Sequence, residues 1–311
     1  RHAQLWSGAS EHFGDTAADH GLARYVGDVS LFLDVDNDGD QDLVAARVEQ
    51  DGVVVLENLG QGRFAATPRT YPTRGLPTNI SSMTAADVDR DGDLDLYLTV
   101  RDEVDVLMLG DGEGAFAPAP PGVALPLEQV RGSNAAVWSD LDDDGDPDLV
   151  VAGVGALRND GDGVLHLTDS LLTPHQHPLV EGVSVADLDG DGRLDLYLGV
   201  DQDSCRRPLS GRNVVFWGAD DGSLARDQRG RSVLADAGHC EGVAAADFDN
   251  DGHLDLFLGN RSGPSLCLLG QGGGVFVPDR GEVFGTLEVS DLTGVCAIDR
   301  DDDGDQDVFI L

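Results

Sequence analysis

The chain has 311 residues, with 58 Asp and Glu against 20 Arg and no Lys, for a formal charge of −38. A surface this acidic lacks the basic footprint that nucleic acid requires, and it repels anionic membranes. No apolar run approaches the 18 residues that would cross a bilayer as a helix, so no membrane insertion is expected. The chain starts at Arg1 without an initiator Met or leader, as a processed or excised domain would.

The first clear element is the β-forming run Val29–Leu33, which leads into Asp34-Val-Asp-Asn-Asp-Gly-Asp-Gln-Asp42 and out again through Leu43–Val48. This D-x-D-x-D-G-x-x-D pattern returns five times. Its Asp residues at positions 1, 3, 5 and 9 are Asp34, Asp36, Asp38 and Asp42 in the first loop, then Asp87, Asp89, Asp91 and Asp95 in the second. Asp140, Asp142, Asp144 and Asp148 follow in the third, and Asp187, Asp189, Asp191 and Asp195 in the fourth. Asp247, Asp249, Asp251 and Asp255 form the fifth, and Asp299, Asp301, Asp303 and Asp307 the sixth. Position 6 is Gly in every copy.

The chemistry this spacing suits is Ca²⁺ binding. The ion takes six to eight oxygens at about 2.3–2.6 Å, and alternate carboxylates of a tight loop converge on one centre, with Gly permitting the turn. Position 7 is expected to contribute only its backbone carbonyl, which lets the residue vary: Asp40, Asp93, Asp146, Arg193, His253 and Asp305. The EF-hand alternative fails at position 12, where the bidentate Glu is replaced by Ala45, Leu98, Val151, Leu198, Leu258 and Ile310. Each loop is therefore expected to join two antiparallel strands, with position 9 closing the site. About six Ca²⁺ ions, one per loop, would bring the formal charge to about −26. Without metal, carboxylates about 5 Å apart repel by about 3 kcal/mol per pair at an effective dielectric near 20.

A second element, L-x-N/G-x-G-x-G-x-F, is clearest at Leu56–Phe64 and returns at Met108–Phe116, Leu157–Leu165, Phe216–Leu224 and Leu268–Phe276. A small-residue turn between apolar runs signals a hairpin. Each repeat then has four strands, with the Asp loop between the first two and the Gly turn between the last two. The missing sixth hairpin is found at the N-terminus, where Leu5–Phe13 aligns with Leu56–Phe64, with Ala9 and Glu11 in the Gly positions.

The expected fold is all-β: a six-bladed β-propeller with four antiparallel strands per blade, forming one domain. Residues 1–28 supply the outer strands of blade 6. Blades 1 to 5 occupy 29–80, 81–133, 134–180, 181–240 and 241–292, and residues 293–311 supply the inner strands of blade 6. Closure from both ends leaves no exposed edge strand. An open solenoid is the rival, but it would need two caps rather than two complementary halves.

The paired Asp loop and Gly hairpin resemble the FG-GAP/VCBS repeat family, propellers related to the integrin α-subunit head. The phrase Phe13-Gly-Asp-Thr-Ala-Ala-Asp-His-Gly-Leu22 is similar to the blade-end sequence of bacterial and cartilage-acidic-protein-like members. The resemblance implies Ca²⁺ in the first-to-second strand loops and a surface used for adhesion, glycan binding or protein contact. Six blades stand here in place of seven, and no inserted metal-dependent adhesion domain is present.

Function is expected on the face opposite the Asp loops, where a rigid scaffold leaves loops free to vary. Blade 4 carries extra residues there around 201–212, including Arg206, Arg207 and Arg212, which could meet an anionic ligand or simply balance nearby Asp residues. Cys205 and Cys240 could form a disulfide across that loop in an oxidising compartment, whereas Cys267 and Cys296 lie in apolar strands and read as buried free thiols. His175 and His177 could chelate a transition metal or lie in an exposed Pro-flanked connection. Trp6 and Trp217 could stack on sugars or pack between blades. No catalytic motif is found.

The combined reading is a non-enzymatic, monomeric, secreted, cell-surface or periplasmic binding module for a glycan or protein. A polysaccharide-active enzyme and an architectural domain of a longer protein are the alternatives.

Overall fold

In a computed structural model, residues 6–8, 13–15, 29–46, 52–60, 63–65, 69–71, 80–101, 103–120, 133–152, 154–169, 179–201, 213–227, 239–284, 294–299 and 304–310 are described. They hold strands and no helix. The first two strands, β1 (Trp6–Gly8) and β2 (Phe13–Asp15), pair with each other. A four-stranded sheet follows, of β3 (Val29–Leu33), β4 (Asp42–Ala46), β5 (Val53–Leu56) and β6 (Arg69–Tyr71). The next comprises β7 (Ile80–Ala86), β8 (Asp95–Val100), β9 (Val106–Gly110) and β10 (Phe116–Pro118). The third is β11 (Ala136–Ser139), β12 (Asp148–Val151), β13 (Gly155–Asn159) and β14 (Leu165–Asp169). The fourth is β15 (Leu179–Ala186), β16 (Asp195–Asp201), β17 (Val214–Gly218) and β18 (Leu224–Arg226). The fifth is β19 (Cys240–Ala246), β20 (Asp255–Asn260), β21 (Leu266–Gly270) and β22 (Phe276–Pro278), and the chain ends in the pair β23 (Val295–Ile298) and β24 (Asp307–Ile310).

Every sheet is a meander in which strands adjacent in sequence are adjacent in space. The expected repeat of four strands is therefore present, with each Asp loop joining the first two. The second strands β4, β8, β12 and β20 are apolar after their leading Asp, save Thr99 and Asn260, and bury every residue. Neighbours within the sheet and on both of its faces leave them no contact with water, which is why they read as continuous rather than alternating apolar runs.

Three of the first strands share a kink. β7, β15 and β19 each shift register just after their start, between Ile80 and Ser82, Val180 and Gly182, and Cys240 and Gly242. Such a bulge bends a strand and increases its twist. Beyond it the backbones approach closely: a Cβ on Gly242 would lie 2.9 Å from the Val295 backbone nitrogen, and one on Gly182 would lie 3.4 Å from the Gly242 Cα. Consecutive first strands thus converge.

The chain divides into two compact units, residues 1–138 with 159–166, and residues 139–158 with 167–311. In the first, Leu33, Val44, Val55, Leu96, Leu98 and Met108 belong to a core shared by two sheets. In the second, Phe248 and Phe257 meet Phe284 edge-on, with ring centroids 5.3 and 5.5 Å apart. Asp279 accepts hydrogen bonds from the backbone N–H groups of Gly281, Glu282 and Phe284, fixing the turn that delivers that ring.

Three expectations are corrected here. Cys240 begins strand β19 rather than lying in the connection before it, and its thiol is fully buried. Cys267 is buried as expected, but Cys296 is exposed, because β23 and β24 have no further strands beside them among the described residues. In the N-terminal hairpin Gly8, not Ser7, faces Phe13. That is one residue off the register of Gly110 with Phe116, and this hairpin lacks the turn glycines that set the register elsewhere.

Candidate metal centre

The Asp loops are built by their own carboxylates. Position 1 turns each loop by accepting two backbone N–H groups: Asp34 takes those of Asp38 and Gly39 at 3.1 and 2.9 Å. Asp87, Asp140, Asp187 and Asp247 make the same pair. The position-6 glycines have φ between 88° and 94° in all six loops, a region that L side chains avoid. Position 5 accepts the N–H of position 7, as in Asp93 to Asp91 Oδ1 at 3.0 Å. The loops are therefore shaped by internal bonds before any cation is considered.

Position 9 is a staple. Asp95 is 1% exposed; its Oδ2 accepts the Val88 N–H at 2.8 Å and its Oδ1 the Gly110 N–H at 2.9 Å. Asp42, Asp195 and Asp255 tie their loops to their third strands in the same way. Burial pushes the Asp95 and Asp195 carboxyls up to about 6 against these bonds.

Position 3 differs. One carboxylate oxygen of Asp36, of Asp89 and of Asp142 is buried with no hydrogen-bond partner. Burial first, and then neighbouring carboxylates, raise the pKa of Asp36 and Asp89. A buried carboxylate oxygen without a donor is costly unless something positive faces it.

Oxygens from Asp34, Asp36 and Asp42 lie within 4.8 Å of one another. The same holds for Asp87, Asp89 and Asp95, for Asp140, Asp142 and Asp148, for Asp187, Asp189 and Asp195, and for Asp247, Asp249 and Asp251. Two oxygens on opposite sides of a Ca²⁺ ion stand about 4.6–5.2 Å apart, so each trio matches one coordination sphere. The residues present fit a calcium ion. In four loops the trio comprises positions 1, 3 and 9, with position 5 turned to cap the loop; in the fifth it is positions 1, 3 and 5. Asp301 and Asp303 of the sixth loop lie outside the described residues, as do His175, His177, Cys205, Arg206, Arg207 and Arg212.

Two loops carry an arginine on a loop carboxylate. Arg158 meets Asp142 Oδ2 at 2.8 Å, and Arg193, at position 7, pairs with Asp191 and with Asp220. The Arg193 side chain thus faces its own loop, which a purely backbone role for position 7 did not foresee. Position-7 side chains also explain the Gly turns: Asp93 lies where a Cβ on Gly112 would be, and the His253 ring is 2.9 Å from one on Gly272. Trp217 packs against Gly274 in the turn of the next sheet, where an added Cβ would lie 2.8 Å from its ring.

Sequence reasoning missed position 4. Asn37, Arg90, Asp143 and Asn250 all adopt left-handed φ of 58–60°. The signal was there, since Asn, Asp or Gly fills position 4 in five of six loops, and these residues tolerate that conformation best.

Away from the loops, Asp105 is buried at the far end of the second sheet. It accepts the Val100 N–H at 2.8 Å, the Tyr97 hydroxyl at 2.9 Å and the Ser133 hydroxyl. Burial raises its carboxyl to about 6 although these bonds oppose the shift. A raised carboxyl contributes stability fully below its unfolded value near 4, and that contribution is lost as pH rises through 6. Asn213 makes the equivalent bond to the Val200 N–H without a charge. Asp105→Asn should therefore gain on the parent between pH 5 and 7.5 in urea melts; a constant difference across that window would contradict the assignment.

Comparison with known proteins follows the same lines. The model of the FG-GAP-like repeat matches residues 34–98, 140–198, 204–258 and 247–310, most of the chain. No match was found among curated proteins. Among solved structures, a lectin of Agrocybe aegerita that recognises non-reducing terminal N-acetylglucosamine is similar at 21% identity and TM-score 0.53, over 80% of this chain and 64% of the lectin. The chain thus spans less than two thirds of that lectin's length. The BP39L lectin from Burkholderia pseudomallei is similar at 13% identity and TM-score 0.55, over 90% of this chain and 76% of the lectin. BBS1N, solved in complex with ARL6DN, is similar at 10% identity and TM-score 0.56, over 92% and 75%. At these identities the likeness concerns the fold.

Proposed function

Because the chain belongs to the family of FG-GAP-like repeat proteins, we propose that it is a calcium-stabilised six-bladed β-propeller serving as an extracellular binding module for a glycan or a protein. The observation that carries the calcium role is the buried, unbonded oxygen of Asp36, Asp89 and Asp142, each within a trio of carboxylates of the right span. Positions 1, 3 and 9 would hold the ion, with position 5 in the fifth loop. Bound calcium supplies charge neutralisation and a fixed loop; it takes no part in chemistry.

Closure of the ring by β1 and β2 beside β24 is part of the same proposal. What supports it is that β1–β2 and β23–β24 are each two-stranded where every other sheet among the described residues has four strands.

Glycan or protein recognition is supported by the fold shared with two lectins; loops opposite the Asp loops would be left free to carry it. The direct test is a glycan array probed with the intact chain in calcium and in EGTA. Binding to a defined glycan class that is lost in EGTA is the expected result. Cleavage of a polysaccharide would replace the reading with an enzyme, and no binding in either buffer would favour an architectural domain.

A further inference from the structure

The side chain at position 4 of one Asp loop reaches position 7 of the next. Asn37 Nδ2 donates to Asp93 Oδ1 at 2.9 Å, and Asn250 Nδ2 donates to Asp305 Oδ1 at 2.7 Å. The two bonds are separate occurrences of one arrangement, one in each compact unit. We propose that the Asn37–Asp93 bond couples the first Asp loop to the second, so that filling one with calcium favours filling the other. This rests on the calcium reading above.

The physical basis is confinement. Asn37 lies between Asp36 and Asp38 and is held in a left-handed conformation at φ 58°. An ion held by the loop on one side of Asn37 fixes that backbone and therefore the direction of its amide. The amide fixes the Asp93 side chain, which rests on Gly112 with no room to move toward it. The Asp93 N–H in turn bonds Asp91 Oδ1, inside the second loop. Ordering the first loop thus removes part of the ordering required by the second. By linkage the effect is reciprocal.

The backbone adds a second link in the same direction. The Gly turn of the second sheet leans on the first Asp loop: a Cβ on Gly114 would lie 3.6 Å from Val35 and 3.8 Å from the Asp36 Cβ. Likewise the Gly273 N–H donates to the Asp189 carbonyl at 2.9 Å. That contact joins the fourth Asp loop to the Gly turn of the fifth sheet, but position 4 of the fourth loop is Gly190, which has no side chain to extend. The fourth and fifth loops therefore lack the tether and serve as an internal control.

The test uses the full chain with ¹⁵N-glycine, following the amides of Gly39, Gly92, Gly192 and Gly252, one in each of four Asp loops, during Ca²⁺ titration. Asp36→Ala disables the first loop. In the parent background it should weaken filling of the second by about fivefold to tenfold, at the lower end of the usual range of coupling between sites. In an Asn37→Gly background, which keeps the left-handed backbone but removes the amide, the same disabling should shift the second loop by less than about twofold. Gly252 should not respond to either change.

Equal shifts of the second loop in the two backgrounds would overturn the coupling while leaving calcium binding intact. A Gly39 or Gly92 amide indifferent to calcium in the parent would instead sink the calcium reading, and this inference with it.

Discussion

Excess EGTA lowers the melting temperature of the calcium-loaded chain by about 20 °C or more. The size follows from counting sites. At free calcium a hundredfold above its dissociation constant, one site adds about 2.7 kcal/mol, so five or six independent sites add about 13–16 kcal/mol. Each kcal/mol moves the midpoint of a chain somewhat smaller than this one by about 2–4 °C. The loops do not collapse outright without the ion, because position 1 still accepts two N–H groups in each. What returns is the repulsion among buried carboxylates whose pKa values burial has already raised. Differential scanning calorimetry in calcium, in EGTA and after recalcification measures the effect. A melt that EGTA leaves in place would remove the structural role of calcium.

The second large effect separates two carboxylates of one loop. Asp95→Ala should destabilise the protein by about 2–5 kcal/mol even in EGTA, because it leaves two backbone N–H groups, those of Val88 and Gly110, without an acceptor. Asp89→Ala removes an oxygen that no donor satisfies. In EGTA that variant should match the parent or exceed it, since a buried, repelled carboxylate has gone. In calcium it should lose the contribution of one site, about 2–3 kcal/mol. Denaturant melts of both variants in both buffers provide the comparison. If the two variants behaved alike in EGTA, the division between a staple at position 9 and a cation-facing group at position 3 would fail.

These contrasts show which parts of the molecule its residues announce. The Asp loops, the strands on either side and the Gly turns could all be read from spacing, because a turn that must adopt positive φ and aim alternate carboxylates inward tolerates few residues. Gly39 and its five counterparts are legible for that reason. The all-β class followed from the same punctuation, since runs of four to seven apolar residues between such turns cannot make helices of useful length.

Position in space decided the rest. Asp89 and Asp95 are both Asp in one motif, but Asp95 is held at both oxygens, by Val88 within the loop and by Gly110 from the third strand, whereas one oxygen of Asp89 is left without a donor. Asn37 and Asp93 are 56 residues apart, and their bond depends on two sheets lying side by side. Arg193 reads as a variable loop residue until Asp220, from the neighbouring turn, is seen to hold it over Asp191. The sequence determined the repeat and its chemistry because those are properties of one tight loop at a time. Burial and partnership depend on segments far apart in the chain, so tertiary structure alone could assign them.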